Sequence, residues 1–334
     1  MTGTAVAPPP AVKSRAPRRT PRLTDPAVGV WLAAAAVTAL GWTVVAARGG
    51  DFLTLTNVVG ILQNCVALGL VAVGQTAVVL TGSLDLSVAY LISLGTLVAA
   101  TTMRDSGVVT AVLAVLALSA AVGLANGLIV TGLKVNAFIA TLGTAFILRG
   151  WIEDHYTGPA GRVPASFQRL GYDRVGPVPV SLFLLLAVAA ALWVLTQRTR
   201  FGHHLYATGG DEHAARLSGV RTRRTVIAAH VLCSLCVGAA ALFLASRLGA
   251  GAPWAGTEAR YDLESIAAVV LGGTVLAGGR GGVTGTLGGV LVLAVLDSVF
   301  NQLGVDPFFK NVVRGVVIIA AVALYARRGT RRTA

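Results

Sequence analysis

Charge is scarce in this chain, and most of it lies outside the long apolar stretches. Charged residues fill 12% of the 334 positions, about half the roughly 25% of an ordinary soluble domain. Aromatic residues make up only 6%, and lysine occurs just three times, as Lys13, Lys134 and Lys310. None of these lysines follows a glycine, so no Walker-type phosphate loop is present. The five histidines form no HExxH helix, and no GxSxG turn occurs. The run Gly278-Gly279-Arg280-Gly281-Gly282 lacks the preceding strand, the βαβ unit and the acidic residue of a dinucleotide site. Cysteine is limited to Cys65, Cys233 and Cys236. The last two have redox spacing but sit in an apolar run with no second ligand pair, which points to plain packing. The sequence therefore shows no enzyme active site, metal site or cofactor site.

Hydrophobic residues dominate instead, at 55%. A bilayer core of about 30 Å takes roughly 20 apolar residues of helix, and stretches of about that length recur from Trp31 to Ala326. The pattern predicts an all-α, polytopic membrane protein, a bundle of about ten transmembrane helices. The expected spans are 28–47, 57–80, 85–102, 108–131, 137–151, 179–196, 225–246, 263–277, 283–300 and 311–326. Spans 57–80, 263–277 and 283–300 are rich in glycine and small polar residues and are candidates for broken or re-entrant helices. Two similar breaks, Val79-Leu80-Thr81-Gly82-Ser83 and Val275-Leu276-Ala277-Gly278-Gly279, hint at an internal duplication. Glycines four apart, as at Gly123 and Gly127 or Gly281, Gly285 and Gly289, suit close helix packing.

The net charge of +13 does not indicate nucleic-acid binding, because the basic residues gather in short connections and at both termini. Residues 1–27, rich in proline and arginine, are expected to be a disordered basic tail, and 327–334 a second basic tail, flanking a transmembrane domain at 28–326. The apolar run Val28–Ala47 exceeds the core of a signal peptide and is expected to remain as the first span. Ten spans place both termini on one side. If that side is cytoplasmic, the cytoplasmic pieces hold 17 of the 27 Lys and Arg residues, as the positive-inside rule requires.

Four segments stand out. In Thr81-Gly82-Ser83-Leu84-Asp85-Leu86-Ser87-Val88, Asp85 is expected at a helix start, as a cap or a lining residue. Lys134-Val135-Asn136-Ala137-Phe138-Ile139-Ala140-Thr141-Leu142-Gly143-Thr144 places its hydroxyls on one helical side. Gly202 to Val220 contains a short helix capped by Asp211, with an expected Glu212–Arg216 pair and the apolar residues Ala214, Ala215 and Leu217. That helix either packs on the bundle or docks a soluble partner. The fourth segment runs from Tyr261 through Gly288.

In this order, these segments resemble the TGGIDLSVG, PFIATLGT, AIGGNEEAARLSGI and IAAVVLGGTSLFGGRG motifs of permease subunits from bacterial ABC-type monosaccharide importers, the ribose/xylose/arabinose-like family. The resemblance covers about residues 57–326. It implies a plasma-membrane (inner-membrane) subunit for carbohydrate import that dimerises or pairs with a second permease. It further implies a cytoplasmic ATP-binding subunit held through Gly209, Gly210, Asp211, Glu212, Ala214, Ala215, Arg216, Leu217 and Gly219, and an extracytoplasmic sugar-binding protein. A neutral sugar calls for hydroxyls and amides along its path, and the expected pathway residues are Gln75, Asp85, Ser87, Asn126, Thr141, Thr144 and Asn301. The chain departs from the family pattern at Ser83, Ala89-Tyr90, Ala137 and Asp297-Ser298, which bears on sugar identity more than on class. Asp297, ionisable within an apolar run, is a functional candidate in its own right. Related permeases for nucleosides or branched-chain amino acids, or an ion-coupled secondary transporter, are the alternatives.

Overall fold

Two long helices carry the core. The structure, a computed structural model, describes residues 26–306 and, beyond them, 308–310, 312, 313, 315 and 316. Helix α1 spans Pro26–Ala47, α2 Leu55–Leu80, α3 Val88–Ser106, α4 Val108–Gly132, α5 Ala137–His155 and α6 Ala165–Tyr172. A two-residue hairpin, β1 (Arg174–Val175) and β2 (Val178–Pro179), precedes α7 (Val180–Arg198). There follow α8 (Arg200–Gly210), α9 (Glu212–Leu217), α10 (Thr222–Leu248), α11 (Tyr261–Leu271) and α12 (Val283–Gln302).

Helix α2 is capped by the Thr54 hydroxyl, which accepts from the Asn57 amide. From Cys65 to Leu80 it is buried without interruption, as expected of a helix that is apolar on every side. Helix α10 packs against α2, α3 and α4, whereas α12 packs against α1, α2 and α11. Small residues make the α4–α10 crossing tight. A Cβ placed on Gly123 would lie 2.6 Å from the His230 carbonyl, and one on Gly127 would lie 2.7 Å from Ile227 Cα.

The outer helices bury only a stripe. On α4 the buried positions Ala111, Val115, Ser119, Gly123 and Gly127 recur every four residues, while Val109, Leu113, Leu124 and Leu128 are exposed. On α1, Trp31, Leu32, Leu40 and Trp42 are exposed in the same way. Apolar surface of this extent, on helices apolar all round, suits hydrocarbon rather than water. Among the described residues, six helices are long and apolar enough to cross a membrane: α1 from Val28, α2, α4, α7, α10 and α12.

The expected all-α membrane bundle is therefore present, with two amendments. The run 263–277 is not one span: α11 ends at Leu271, about 16 Å after it starts at 1.5 Å per residue. Residues 272–282 continue as a loop in which Gly273, Gly278, Gly279 and Gly281 have positive φ. Helices α3 and α5 have 19 residues each but end in polar turns, Arg104-Asp105-Ser106 and Glu153-Asp154-His155. Most of the expected tail 1–27, nearly all of the span 311–326 and the tail 327–334 lie outside the described residues.

The α4–α10 crossing yields a test. Gly123→Leu forces a side chain into the His230 carbonyl and the Ser234 hydroxyl, and overpacking of this kind costs about 1–3 kcal/mol. The detergent-solubilised variant should melt at a lower temperature than wild type, whereas Gly143→Leu, with open space around it, should not.

Candidate functional site

The helix break after α2 creates a polar demand that the surrounding side chains meet. Gly82 has φ +78°, a conformation that ends the helix cleanly and that L side chains resist. Residues 83–87 then run without helix until α3 begins at Val88, so Asp85 lies three residues before the helix and not at its first turn. Peptide groups inside a bundle need partners other than water. Thr141 Oγ1 accepts from the Leu86 amide at 3.1 Å and donates to the Leu84 carbonyl at 3.3 Å. Gln75 Nε2 donates to the Asp85 carbonyl at 3.3 Å. The Ser87 amide donates to Asp85 Oδ1 at 3.0 Å.

The Asp85 carboxylate is the hub. Its Oδ1 accepts from Ser87 Oγ at 2.6 Å, and Asn126 Nδ2 reaches its two oxygens at 3.4 and 3.3 Å. Asn126 Nδ2 also donates to Ser87 Oγ at 3.0 Å, and Thr144 Oγ1 donates to Asn126 Oδ1 at 2.6 Å. From α10, His230 Nδ1 lies 3.4 Å from Asp85 Oδ2, and Cys233 Sγ donates to Gln75 Oε1 at 3.4 Å. Asp85, Ser87, Gln75, Asn126, Thr141 and His230 are all fully buried.

Six of the seven expected pathway residues thus meet in one lattice drawn from α2, the break, α4 and α5. Asn301 does not: it is exposed on the last turn of α12, where Lys310 Nζ donates to its side chain. His230 and Cys233 were absent from the sequence-level set. An ionisable ring in the middle of a 27-residue apolar helix was the available signal for His230. Cys233 combines the expected packing role with a weak donor bond.

A second cluster lies at the α8–α9 elbow. Asp211 Oδ1 accepts from the Ala214 amide at 2.9 Å, capping α9, and Arg216 Nη2 pairs with Glu212 Oε1 at 2.7 Å. Thr222 Oγ1 donates to the same Glu212 oxygen at 3.1 Å and fastens α9 to α10. Ala215 is buried, Ala214 is exposed, Leu217 is 78% exposed, and Gly219, at φ +82°, turns the chain toward α10.

Gly209 and Gly210 bring the elbow against both helix breaks. The Gly279 amide donates to the Leu80 carbonyl at 3.0 Å. A Cβ on Gly209 would lie 1.9 Å from the Leu80 carbonyl oxygen, and one on Gly278 would lie 2.7 Å from the Gly82 nitrogen. The two similar segments noted in the sequence therefore touch each other and the elbow through bare backbone. Tyr206 reinforces the contact: its hydroxyl donates to the Gly281 carbonyl at 2.9 Å and accepts from Gln197 Nε2 at 2.7 Å. Burial raises the Tyr206 pKa above its ordinary value, so the hydroxyl is protonated and able to donate at neutral pH.

Neither cluster has the layout of a reaction centre. The lattice is closed to solvent, and among the described residues no group of three or more His, Cys, Asp or Glu side chains could hold a metal. A lipid-facing bundle around a polar interior, with a polar elbow set against its helix breaks, defines a multi-pass membrane permease component. The chain belongs to the family described as the permease component of the branched-chain amino acid transport system, whose model matches residues 57–322. It is 39% identical over 285 residues to the ribose import permease protein RbsC of Escherichia coli strain K12, covering 84% of this chain and 88% of that one. Against the ribose import permease of Bacillus subtilis strain 168, identity is 38% over 278 residues, covering 82% and 86%. Against the L-arabinose transport system permease AraH of Escherichia coli strain K12 it is 36% over 285 residues, covering 81% and 83%. No solved structure matches the chain.

The lattice predicts an ordered series of stabilities. Asp85→Ala strands Ser87, Asn126 and His230, and each buried group left unpaired costs about 1–3 kcal/mol. Asp85→Asn keeps an acceptor oxygen and should cost less. Thermal unfolding in detergent should rank wild type above Asp85→Asn, and Asp85→Asn above Asp85→Ala.

Proposed function

We propose that this chain is the membrane-spanning permease of an ATP-driven importer of neutral monosaccharides, with hydrolysis carried out by a separate cytoplasmic subunit. A second permease, either another copy or a similar chain, completes the pathway, and an extracytoplasmic binding protein delivers the sugar. Both termini and the α8–α9 elbow lie on the cytoplasmic side, in keeping with the placement of Lys and Arg.

The observation that carries the coupling is the backbone contact of Gly209 with Leu80 and Gly278. Residues 80–87 belong to both clusters: Leu80 touches the elbow and Asp85 anchors the lattice. A push on exposed Leu217 and its neighbours reaches the lattice through the backbone contact at Leu80 and the five residues from there to Asp85. In this reading Gln75, Asp85, Ser87, Asn126, Thr141 and Thr144 form the closed gate. A sugar's hydroxyls, being both donors and acceptors, can replace these bonds one at a time as it passes. Asn301, at the far end of α12, would meet the solute outside the gate.

The sugar assignment draws on the three named relatives, two for ribose and one for arabinose. A nucleoside or branched-chain amino acid permease would share the architecture, and the family description names the latter, but the named relatives favour a sugar. An ion-coupled transporter would have no use for an elbow built to receive another subunit.

Replacing Glu212–Leu217 with a Gly-Ser linker of equal length should release the ATPase on co-purification. In liposomes carrying the full importer, ATP-dependent sugar uptake should fall more than tenfold. Undiminished uptake, or uptake independent of ATP, would contradict the proposal.

A further inference from the structure

A second polar site lies at the other end of the bundle. Helices α2, α10, α11 and α12 line a half-open cavity of about 300 Å³, at the small end of the range for ligand pockets, about 300–1,000 Å³. Its walls carry Gln63, Phe243, Arg247, Tyr261, Glu264 and Asp297. Gln63 lies 17 residues before Leu80 on α2, about 25 Å at 1.5 Å per residue, so the cavity stands far from the elbow.

Its chemistry is unusual for the setting. Two carboxylates and a guanidinium, each partly buried, converge on a wall otherwise made largely of apolar side chains, and ionisable groups in such surroundings are costly and mark functional sites. Arg247 Nη1 donates to Gln63 Oε1 at 3.3 Å, and Gln63 Nε2 donates to the Gly171 carbonyl at 3.4 Å. The donors are thereby held in place. The Tyr172 hydroxyl fixes the end of α10 by donating to the Arg247 carbonyl at 2.7 Å. The floor is formed by buried Ala67, Leu68 and Ala294.

Below that floor the helices turn apolar. Along α2 the next polar side chains inward are Gln75 and Thr76, the latter 2.7 Å from Thr286 on α12. Gln75 is 12 residues beyond Gln63, about 18 Å deeper, and the intervening stretch Cys65–Gly74 is wholly buried. Two polar stations separated by an apolar septum are the layout needed for a solute to wait at one before the other opens.

We propose that this cavity is the acceptance site in which a single monosaccharide lodges before the gate opens. Glu264 and Asp297 accept from its hydroxyls, Arg247 and Gln63 donate to its oxygens, and Phe243 and Tyr261 lie against its apolar face. Paired hydroxyls of a sugar match a carboxylate's two oxygens, so the carboxylates set which sugar is preferred. The proposal rests on the sugar-import reading above.

The test uses the complete importer in liposomes, with its ATPase and binding protein, and measures uptake of ribose, arabinose and galactose separately. Ala294→Phe fills the cavity and should lower uptake of every sugar at least tenfold, with ATPase co-purification and melting temperature unchanged. Asp297→Asn should change the ratio of half-saturation concentrations between two of the sugars at least fivefold. Wild-type uptake by Ala294→Phe overturns the cavity proposal alone, as does an equal loss for all three sugars in Asp297→Asn. If Ala294→Phe fails to fold, the ratio in Asp297→Asn decides. A wild-type importer that accumulates none of the sugars overturns the sugar reading, and this proposal with it.

Discussion

The peptide groups of residues 85–87 must find hydrogen-bond partners away from water, and much of the polar interior answers that need. A continuous helix would have satisfied these groups internally. Once Gly82 turns the chain out of α2, its own amide and that of Ser83 return to the Val79 and Val78 carbonyls, and beyond them the partners come from side chains. Thr141 serves Leu84 and Leu86, Gln75 serves the Asp85 carbonyl, and Asp85 serves Ser87. Asn126, Thr144 and His230 then satisfy what those side chains leave over. A lattice of this kind is stable when complete and costly when any member loses its partner. In the proposed gate it would alternate between two states, one bonded within the protein, with His230 Nε2 left without a partner, and one bonded to a passing solute.

The second break serves the first. Residues 272–282 leave the helical path at positive-φ glycines and lie directly against Leu80 and Gly82. The elbow between α8 and α9 closes the third side. With no side chains between these backbones, there is little to absorb a displacement. In the proposed coupling, a movement of α9 would be handed to the break directly, and from there to Asp85, five residues after Leu80.

Much of this was legible in the sequence because apolar context makes polar residues conspicuous. Asp85 and Ser87 follow a glycine in an otherwise oily run, and Thr141 and Thr144 share one face of an otherwise apolar helix, so both groups declared themselves. The Asp211 cap and the Glu212–Arg216 pair are local and needed no tertiary information. What escaped was non-local. His230 lies 145 positions from Asp85, and nothing in its own neighbourhood says which helix it faces. Apolarity alone cannot distinguish a crossing helix from a short helix followed by a loop, so 263–277 was legible only as a span open to a break, and α11 stops at Leu271. Asn301 carries the right chemistry, but its depth is set by where α12 ends. Asp297 was conspicuous for its charge, yet the residues that line the cavity with it come largely from α2, α10 and α11.

The account stands or falls on whether the lattice opens when the elbow is driven. The most direct measurement is the reactivity of a cysteine at position 87 toward a small water-soluble thiol reagent, in a chain carrying Cys65→Ala, Cys233→Ser and Cys236→Ala. Ser87 is fully buried in the closed lattice. The thiol should therefore react slowly at rest and at least tenfold faster while the assembled importer turns over ATP in the presence of its solute. Labelling that is equally slow in both conditions, or already fast at rest, would contradict the account.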